Sequence, residues 1–201
     1  MTRARALRSA GRRGGPGPRI LGGSLRGRRL TVAPLVRPTE SRLREALFSI
    51  WQDRVLDCRF LDLFAGSGAV GLEAASRGAR EIVFAEQSSR VLATLRRNVD
   101  ASTEARLEVW RRRLPEELAR THPEREGIEP FELIFADPPY EFDRYPQLLQ
   151  AAEPWLAGGG ELAIEHSRRV QMPAECASLS RIDQRCYGDA CFSFYQTDSL
   201  G

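Results

Sequence analysis

Two short segments of the sequence carry residue types and spacings that could perform chemistry together, and the first suits a nucleotide-like ligand. It starts at Asp62 in an apolar stretch and continues into a GxGxxG pattern at Gly66 to Gly71. Glycines let the backbone turn sharply and approach a ligand, and the first N–H groups of the following helix are free to bind it. Glu86 lies 20 residues after Gly66, where a carboxylate can accept hydrogen bonds from both hydroxyls of a ribose. The segment therefore predicts an adenosine-containing cofactor, bound by Asp62, Ala65, Gly66, Ser67, Gly68, Gly71 and Glu86.

Asp62 bears on which cofactor binds, because NAD and S-adenosylmethionine share this arrangement of strand, loop and helix. It precedes the first glycine by four residues, so its carboxylate should lie beside the loop. A negative charge there repels the pyrophosphate of NAD and attracts the cationic aminoacyl group of S-adenosylmethionine. The residues favour the methyl donor, while a purely structural role for Asp62 in capping the loop stays open.

The second segment is Asp137-Pro138-Pro139-Tyr140, which follows a short apolar stretch that we predict to be the fourth strand of a series. Two successive prolines restrict the backbone and remove two N–H donors, so the turn presents oxygen acceptors in a rigid array. The Asp137 carboxylate and the Pro138 carbonyl could accept both hydrogens of an exocyclic amino group, while Tyr140 stacks on the base. Methyl transfer would then be catalysed mainly by alignment, and a base in a helix would have to leave its stack. We predict that all four residues are catalytic, the alternative being an ordinary proline-rich turn.

The elements that must position these segments alternate between strand and helix. Apolar runs predict strands at 59–64, 81–85, 106–110, 132–136, 161–165, 180–186 and 191–196. Intervening patterns predict helices at 69–77, 89–101, 116–120 and 144–156, preceded by a hairpin at 19–32 and a helix from Thr39 to about residue 53. This alternation indicates βαβ units and a parallel sheet.

The charge distribution separates a basic start from an acidic body. All 30 basic residues are arginines, and residues 1–44 hold 12 of them with one acidic residue, a net charge of +11. Residues 45–201 carry a net charge of −8. Guanidinium groups bind phosphate in a bidentate manner, so the arginines predict a nucleic-acid partner. The predicted RNA-binding residues are Arg19, Arg26, Arg28, Arg29 and Arg37, although a solvated tail or a transit peptide would also be rich in arginine.

The remaining composition excludes several classes of protein. No apolar run approaches the length of a membrane helix, and two histidines with four scattered cysteines predict no metal site. We expect the cysteines to be reduced thiols and the chain to be a cytoplasmic monomer. We divide it into a disordered Arg/Gly/Pro-rich arm at 1–18, an RNA-contacting hairpin and helix at 19–53, and a methyltransferase domain at 54–201.

With these motifs the chain resembles the bacterial 16S ribosomal RNA guanine-N2 methyltransferases of the RsmD type, within the S-adenosylmethionine-dependent Rossmann-like superfamily. The resemblance covers residues 19–196, and its narrower part rests on the Arg26-Gly-Arg-Arg-Leu30 and Arg37-Pro-Thr39 blocks. It implies an α/β fold with a seven-stranded, mostly parallel sheet and an antiparallel last strand. It also implies methylation of a guanine N2 amino group in 16S rRNA of the small ribosomal subunit, with the cofactor and catalytic roles assigned above. The family often places Asp or Asn near the adenine, whereas Arg111-Arg112-Arg113 stands here, so a backbone carbonyl near Leu114 could take that role.

Four other functions remain as alternatives. A DNA adenine-N6 methyltransferase shares the Asp-Pro-Pro-Tyr motif but usually needs a target-recognition insert. A protein-glutamine methyltransferase usually carries Asn at the position of Asp137. An NAD-dependent oxidoreductase leaves Asp62 and the proline turn unexplained, and a non-catalytic RNA-binding assembly factor needs no cofactor loop.

Overall fold

The structure is a computed structural model that describes residues 17–33, 40–100 and 103–197. Its helices are α1 (Ser41–Ile50), α2 (Ala69–Ser76), α3 (Ser89–Val99), α4 (Glu116–Ala119), α5 (Pro123–Glu126) and α6 (Tyr145–Ala152). Its strands are β1 (Arg59–Leu63), β2 (Glu81–Glu86), β3 (Arg106–Arg111), β4 (Phe131–Ala136), β5 (Leu156–Ser167), β6 (Glu175–Cys176), β7 (Leu179–Tyr187) and β8 (Ala190–Thr197). The predicted alternation of strands and helices is confirmed.

The strands form one sheet in the order β3-β2-β1-β4-β5-β8-β7-β6. Strands β1 to β5 pair in parallel, whereas β8 lies between β5 and β7 and is antiparallel to both. The predicted α/β class and the antiparallel last strand are therefore confirmed, and the two-residue β6 adds an eighth strand at the edge. Because β1, β2, β4 and β5 are parallel, their carboxyl ends meet at one edge of the sheet.

Apolar layers cover both faces of the sheet. One layer packs α1, α2 and α3 against side chains such as Phe60 and Phe84, and the other packs α4 and α6 against side chains such as Leu61 and Trp155. Successive strand residues point to opposite faces, so every residue of β1 is buried. Burial on both faces explains why the parallel strands read as continuous apolar runs.

The predicted hairpin at 19–32 is present as a tight loop with a single bridge. Arg19 and Arg29 form an isolated antiparallel bridge, and the Ile20 N–H donates to the Arg28 carbonyl at 3.0 Å. Ile20 is fully buried beneath the loop. The hairpin is therefore packed onto the body.

A buried carboxylate in α2 fastens this hairpin to the body. Glu73 is inaccessible to solvent, and its two oxygens accept hydrogen bonds from the N–H groups of Leu21 and Gly22 at 2.7 and 2.8 Å. The same carboxylate lies 3.6 Å from the buried Arg44 guanidinium of α1 and 2.9 Å from that of Arg77. One side chain thus joins the hairpin, α1 and α2.

Several predicted boundaries differ from the structure. The helix predicted at 144–156 ends at Ala152, because Pro154 lacks the N–H that a continuing helix needs and lies in a 3-10 turn. Strand β5 begins directly afterwards and is longer than predicted. The four-residue α5 was not predicted, since one turn is too short to show helical periodicity.

The prediction that all four cysteines are reduced is wrong for two of them. Cys186 and Cys191 form a disulfide, while Cys58 and Cys176 are free thiols. The pair stands directly opposite in the antiparallel register of β7 and β8, which brings the two Cα atoms to 4.0 Å. Sequence separation alone did not reveal that the turn at Gly188 and Asp189 would align them.

The composition argued against a membrane helix and against a metal site. Within the described ranges, no helix combines the length and apolar character needed to cross a membrane. Nor does this part of the chain bring together three His, Cys, Asp or Glu side chains that could hold a metal ion.

Replacing Glu73 should test the attachment of the hairpin. We expect Glu73→Ala to lower the free energy of unfolding by about 3–5 kcal/mol, because it leaves buried Arg44 and two N–H groups without their carboxylate. Urea denaturation would measure this change. The exposed Glu104→Ala variant is the control and should change stability by less than about 0.5 kcal/mol. Equal effects from both variants would contradict the assignment.

Candidate functional site

The loop between β1 and α2 adopts backbone angles that favour glycine. Gly66 and Gly68 have φ angles of 56° and 77°, in the left-handed region, and the Gly68 N–H donates to the Ala65 carbonyl at 2.7 Å. A Cβ on Gly68 would lie 2.6 Å from Cδ1 of Leu95 in α3. Phe64 is also left-handed, with a φ of 61°, and this ends β1. The loop is therefore tightly confined between β1 and α3.

Asp62 holds the first turn of α2 against the sheet. Its Oδ2 accepts a hydrogen bond from the Gly71 N–H at 2.9 Å, and a Cβ on Gly71 would approach Cε1 of Phe84 to 2.4 Å. Burial raises the pKa of Asp62 well above its usual range, and the nearby Asp137 and Glu86 carboxylates raise it further. The structural role that the sequence left open is thus present. A buried acid of this kind also gains from a cation placed beside it.

Glu86 lies beside the same loop and is oriented by backbone donors. Its Oε1 accepts hydrogen bonds from the N–H groups of Gln87 and Ser88, both at 2.8 Å. Its Oε2 accepts one from the Gly66 N–H at 3.2 Å. Each carboxylate oxygen can accept two hydrogen bonds, so the group has capacity for a hydroxyl as well. The geometry brings together the loop and the acid that the sequence paired.

The Asp137–Tyr140 turn begins where β4 ends, directly beside the end of β1. Leu63 of β1 pairs with Ala136 of β4, and the next N–H, from Asp137, donates to the Leu63 carbonyl at 3.4 Å. The Pro139 carbonyl accepts from the Phe142 N–H at 2.8 Å and closes the turn. Tyr140 is 82% exposed. Sheet register thus brings the second predicted segment next to the first.

The exposed ring of Tyr140 could stack on a planar ligand. Tyr140 follows two prolines that hold its backbone, and its side chain stands at the carboxyl edge of the sheet with little covering it. A planar ligand could stack on such a ring without displacing other side chains.

The predicted RNA-binding arginines differ in exposure and in their contacts with the fold. Arg19, Arg26 and Arg29 are exposed on the hairpin, and the Arg19 guanidinium also donates to the Gly27 carbonyl at 3.1 Å. Arg28 is half-buried, and its guanidinium donates to the Asn98 carbonyl at 2.9 Å, so part of its donor capacity serves the fold. Arg37 lies outside the described residues.

Sequence reasoning missed Asn98, which joins the hairpin to the glycine loop between β1 and α2. It is buried near the end of α3, and its Nδ2 donates to the carbonyls of Ser67 and Thr31 at 2.9 and 2.8 Å. Its Oδ1 accepts from the Thr31 N–H at 2.9 Å. An asparagine at the end of an amphipathic helix normally indicates a solvated position, so only its spacing from the apolar stripe could have drawn attention to it.

Of the three arginines at the end of β3, Arg112 makes contacts within the fold. Arg112 stacks 4.6 Å from the centroid of Trp110 and donates to the Thr121 hydroxyl at 2.8 Å. Arg111 and Arg113 are exposed. A cavity of about 620 Å³ beside this stretch is lined by residues 109–112, 117, 120 and 121, none of which belongs to the predicted cofactor site. The adenine contact predicted near Leu114 stays a prediction.

Comparison with known proteins gives consistent matches along nearly the whole described chain. The model of a family described as conserved hypothetical protein 95 matches residues 18–196. Ribosomal RNA small subunit methyltransferase D of Escherichia coli K12 is 32% identical over 187 residues, covering 91% of each chain. The protein of the same name from Haemophilus influenzae is 30% identical over 153 residues, covering 73% of this chain and 77% of its own length.

A solved structure shows that the similarity extends to the three-dimensional fold. A hypothetical protein of Thermus thermophilus superimposes with a TM-score of 0.73 at 33% identity, covering 90% of this chain and 99% of its own. The family match over residues 18–196 spans the hairpin, the glycine loop and the proline turn together.

Asn98→Asp should show whether the amide positions the cofactor loop. The variant keeps the shape but loses both donors and turns a carboxylate toward the Ser67 and Thr31 carbonyls. We expect affinity for S-adenosylmethionine to fall about 5- to 100-fold, since an unsatisfied buried group costs about 1–3 kcal/mol. Calorimetric titration measures the affinity. Gln147→Glu, an exposed amide-to-acid change, is the control and should bind normally. Unchanged affinity in Asn98→Asp would contradict the positioning role.

Proposed function

Since the chain belongs to the conserved hypothetical protein 95 family, with rRNA small subunit methyltransferase D proteins among its relatives, we propose that it is an rRNA methyltransferase. More narrowly, it transfers the methyl group of S-adenosylmethionine to the exocyclic N2 amino group of a guanine in 16S rRNA. The observation that carries the proposal is the juxtaposition of the Asp137–Tyr140 turn with the glycine loop, across the neighbouring ends of β4 and β1.

The residues of the loop fit the proposed methyl donor. The acidic side chains of Asp62 and Glu86 beside the loop suit a cationic sulfonium or ammonium group, which would also stabilise the charged form of the buried Asp62, and they repel a pyrophosphate. Glu86, held by three N–H donors, is placed to accept from ribose hydroxyls. S-adenosylmethionine supplies the methyl group as an electrophile bonded to positively charged sulfur.

The proline turn orients the amino group that is methylated. The Asp137 carboxylate and the Pro138 carbonyl accept its two hydrogens, which draws the nitrogen lone pair out of conjugation and toward the methyl carbon. With S-adenosylmethionine bound, this nitrogen would take the methyl group from the sulfur, and the proton that the nitrogen then gives up would pass to the Asp137 carboxylate or to water. Little base strength is needed, because an alkylated amino group carrying a positive charge is strongly acidic. Catalysis is mainly alignment and electrostatic stabilisation.

Tyr140 and the hairpin serve the nucleic acid. The exposed Tyr140 ring offers a stacking surface for a guanine that has left its helix. Arg19, Arg26 and Arg29 present guanidinium groups to phosphates, and Arg37 is proposed to join them. A 16S rRNA substrate implies the small ribosomal subunit as partner and the cytoplasm as location, and we propose that the chain acts as a monomer.

The alternatives fit fewer of these features. An NAD-dependent oxidoreductase has no use for an acid under the first turn of α2 or for the proline turn. A non-catalytic assembly factor needs neither the confined glycine loop nor Asp137 beside it. Methylation of DNA adenine or of protein glutamine uses similar chemistry, so the substrate must be identified by experiment.

The deciding experiment identifies the methylated product. Purified protein is incubated with radiolabelled S-adenosylmethionine and small ribosomal subunits, naked rRNA or DNA, and nucleosides are analysed. Label in N2-methylguanosine from the ribosomal samples supports the proposal. Label in N6-methyladenosine, in its deoxy form, or in no nucleic acid despite cofactor binding contradicts it and favours the corresponding alternative.

Asp137→Ala separates chemistry from cofactor binding. It removes the proposed acceptor of the amino group while leaving the backbone of the glycine loop intact. We expect methyl transfer to fall by at least about 100-fold, because alignment and electrostatic stabilisation are lost together. Affinity for S-adenosylmethionine, measured by calorimetry, should change by less than about 3-fold. Equal losses in both measurements would mean that Asp137 is structural.

Charge reversal on the hairpin tests RNA binding. Arg26→Glu with Arg29→Glu alters exposed side chains and spares the hydrogen bond from Arg28 to Asn98. We expect weaker rRNA binding and a salt dependence whose slope falls by about one for each phosphate that the variant no longer binds. Filter binding over a range of salt concentrations measures both. Arg120→Glu with Arg125→Glu makes the same charge change away from the hairpin, and an equal effect there would contradict a specific role.

A further inference from the structure

Glu165 stands beside the proposed catalytic Asp137, on the neighbouring strand. Strands β4 and β5 are parallel, and Ala136 pairs with Ile164, so the next residues along the two strands are Asp137 and Glu165. Neighbouring strands lie about 4.8 Å apart. A base held at Asp137 would therefore extend within reach of the Glu165 side chain.

One carboxyl oxygen of Glu165 lacks a hydrogen-bond partner among the residues that the structure describes. This oxygen, Oε2, is buried. Buried polar atoms are nearly always satisfied, and an exception is a place to look for a ligand. Along β5, Glu165 is two residues from Ala163, which belongs to the apolar layer of α1 to α3, so both face that side of the sheet.

The groups that face Glu165 favour its uncharged form. Asp137 approaches from the turn after β4 and Glu40 from the residue before α1, while β8 contributes the uncharged Phe192 opposite it. His166 points to the other face, where its Nε2 lies 2.8 Å from the Ser193 hydroxyl. Burial raises the pKa of Glu165 to about 8, and the Asp137 and Glu40 carboxylates add to the effect. Near neutral pH the carboxyl group therefore has one donor and one acceptor.

We propose that Glu165 is the residue that distinguishes guanine, accepting a hydrogen bond from its N1–H and donating one to its O6. This inference rests on the proposed function. In guanine the N2 amino group, N1–H and O6 follow one another along a single edge. With N2 at Asp137, the next two groups are a donor and an acceptor, which a protonated carboxyl group matches in one plane.

Adenine does not match the same arrangement. An adenine whose N6 amino group lay at Asp137 would present N1, an acceptor, and then a C2–H group. Glu165 could donate to this N1 only by carrying its proton on the nearer oxygen, and its other oxygen would then face the C–H without a hydrogen-bond donor. A site that hydrogen-bonds one base rejects another that leaves its polar groups unpaired. Glu165 thus supplies a physical basis for the choice of guanine that the Asp-Pro-Pro-Tyr turn lacks.

Two substitutions of Glu165 are expected to have different effects on methylation of rRNA. Glu165→Gln keeps one donor and one acceptor and cannot ionise, so at pH 7 it should retain most of the kcat/KM for rRNA that Glu165→Leu loses. Glu165→Leu keeps the approximate size and loses both groups, so its kcat/KM for rRNA should fall about 10- to 100-fold. Its affinity for S-adenosylmethionine, measured by calorimetry, should be unchanged. The exposed Glu104→Gln variant, at the opposite edge of the sheet, controls for the altered net charge.

The pH profile distinguishes hydrogen bonding from packing. Because the donor is present only while Glu165 is protonated, the unsubstituted enzyme should lose kcat/KM as pH rises through about 8. Glu165→Gln should not show this loss. The ratio of the two rates at each pH cancels any ionisation of the guanine itself. A ratio that stays constant with pH would overturn the proposal, even if Glu165→Leu failed to fold.

The same assay keeps the two proposals apart. If the unsubstituted protein produces no N2-methylguanosine, the proposed function fails. If it does, and Glu165→Leu is as active as the unsubstituted protein, only the role of Glu165 fails. Coincident loss in Glu165→Leu and Glu165→Gln would also overturn the hydrogen-bonding role, because the amide preserves it.

Discussion

The parallel alignment of β1, β2, β4 and β5 is the constraint on which the site depends. An acidic residue that could take part in binding or catalysis lies at or near the carboxyl end of each of these strands. Parallel pairing brings those ends to one edge, although they lie far apart in sequence. Asp62, Glu86, Asp137 and Glu165 are in this way drawn together by the sheet. Their repulsion has a consequence: Asp137 and Glu86 raise the pKa of Asp62, and Asp137 raises the pKa of Glu165, so a cationic ligand or a protonated acid is favoured at this edge.

Helix α2 connects this edge to the hairpin. Its first turn is held by Asp62, and its Glu73 binds the backbone of the hairpin and the guanidinium of Arg44. Asn98 makes a second connection, between Ser67 in the loop and Thr31 in the hairpin. The proposed RNA-contacting surface and the proposed cofactor loop therefore share two sets of buried polar contacts.

The sequence predicted the parts of the fold and site that depend on local patterns. Strand and helix alternation was visible because apolar periodicity is local, and the glycine loop and proline turn were visible because they are contiguous motifs. Glu73 and Asn98 were not, since each acts on a segment more than 50 residues away and looks like an ordinary helix residue. The Cys186–Cys191 pair depended on the register of a hairpin, and the environment of Glu165 depended on which strands became neighbours. Long-range packing decides such features, and a single sequence does not encode them in any short spacing.

The complete burial of α2 bears on the order in which the chain folds. All eight residues of this helix are covered, and the hairpin that binds Glu73 lies more than 50 positions earlier in the sequence. During synthesis the hairpin leaves the ribosome first, but its carboxylate partner follows only after α1 and β1 have been made. Contacts between residues so far apart in sequence stabilise the fold only after the chain between them has closed into a loop, which costs entropy. The earliest part of the described chain therefore cannot dock until α2 has been made, and its docking adds to the cover of that helix.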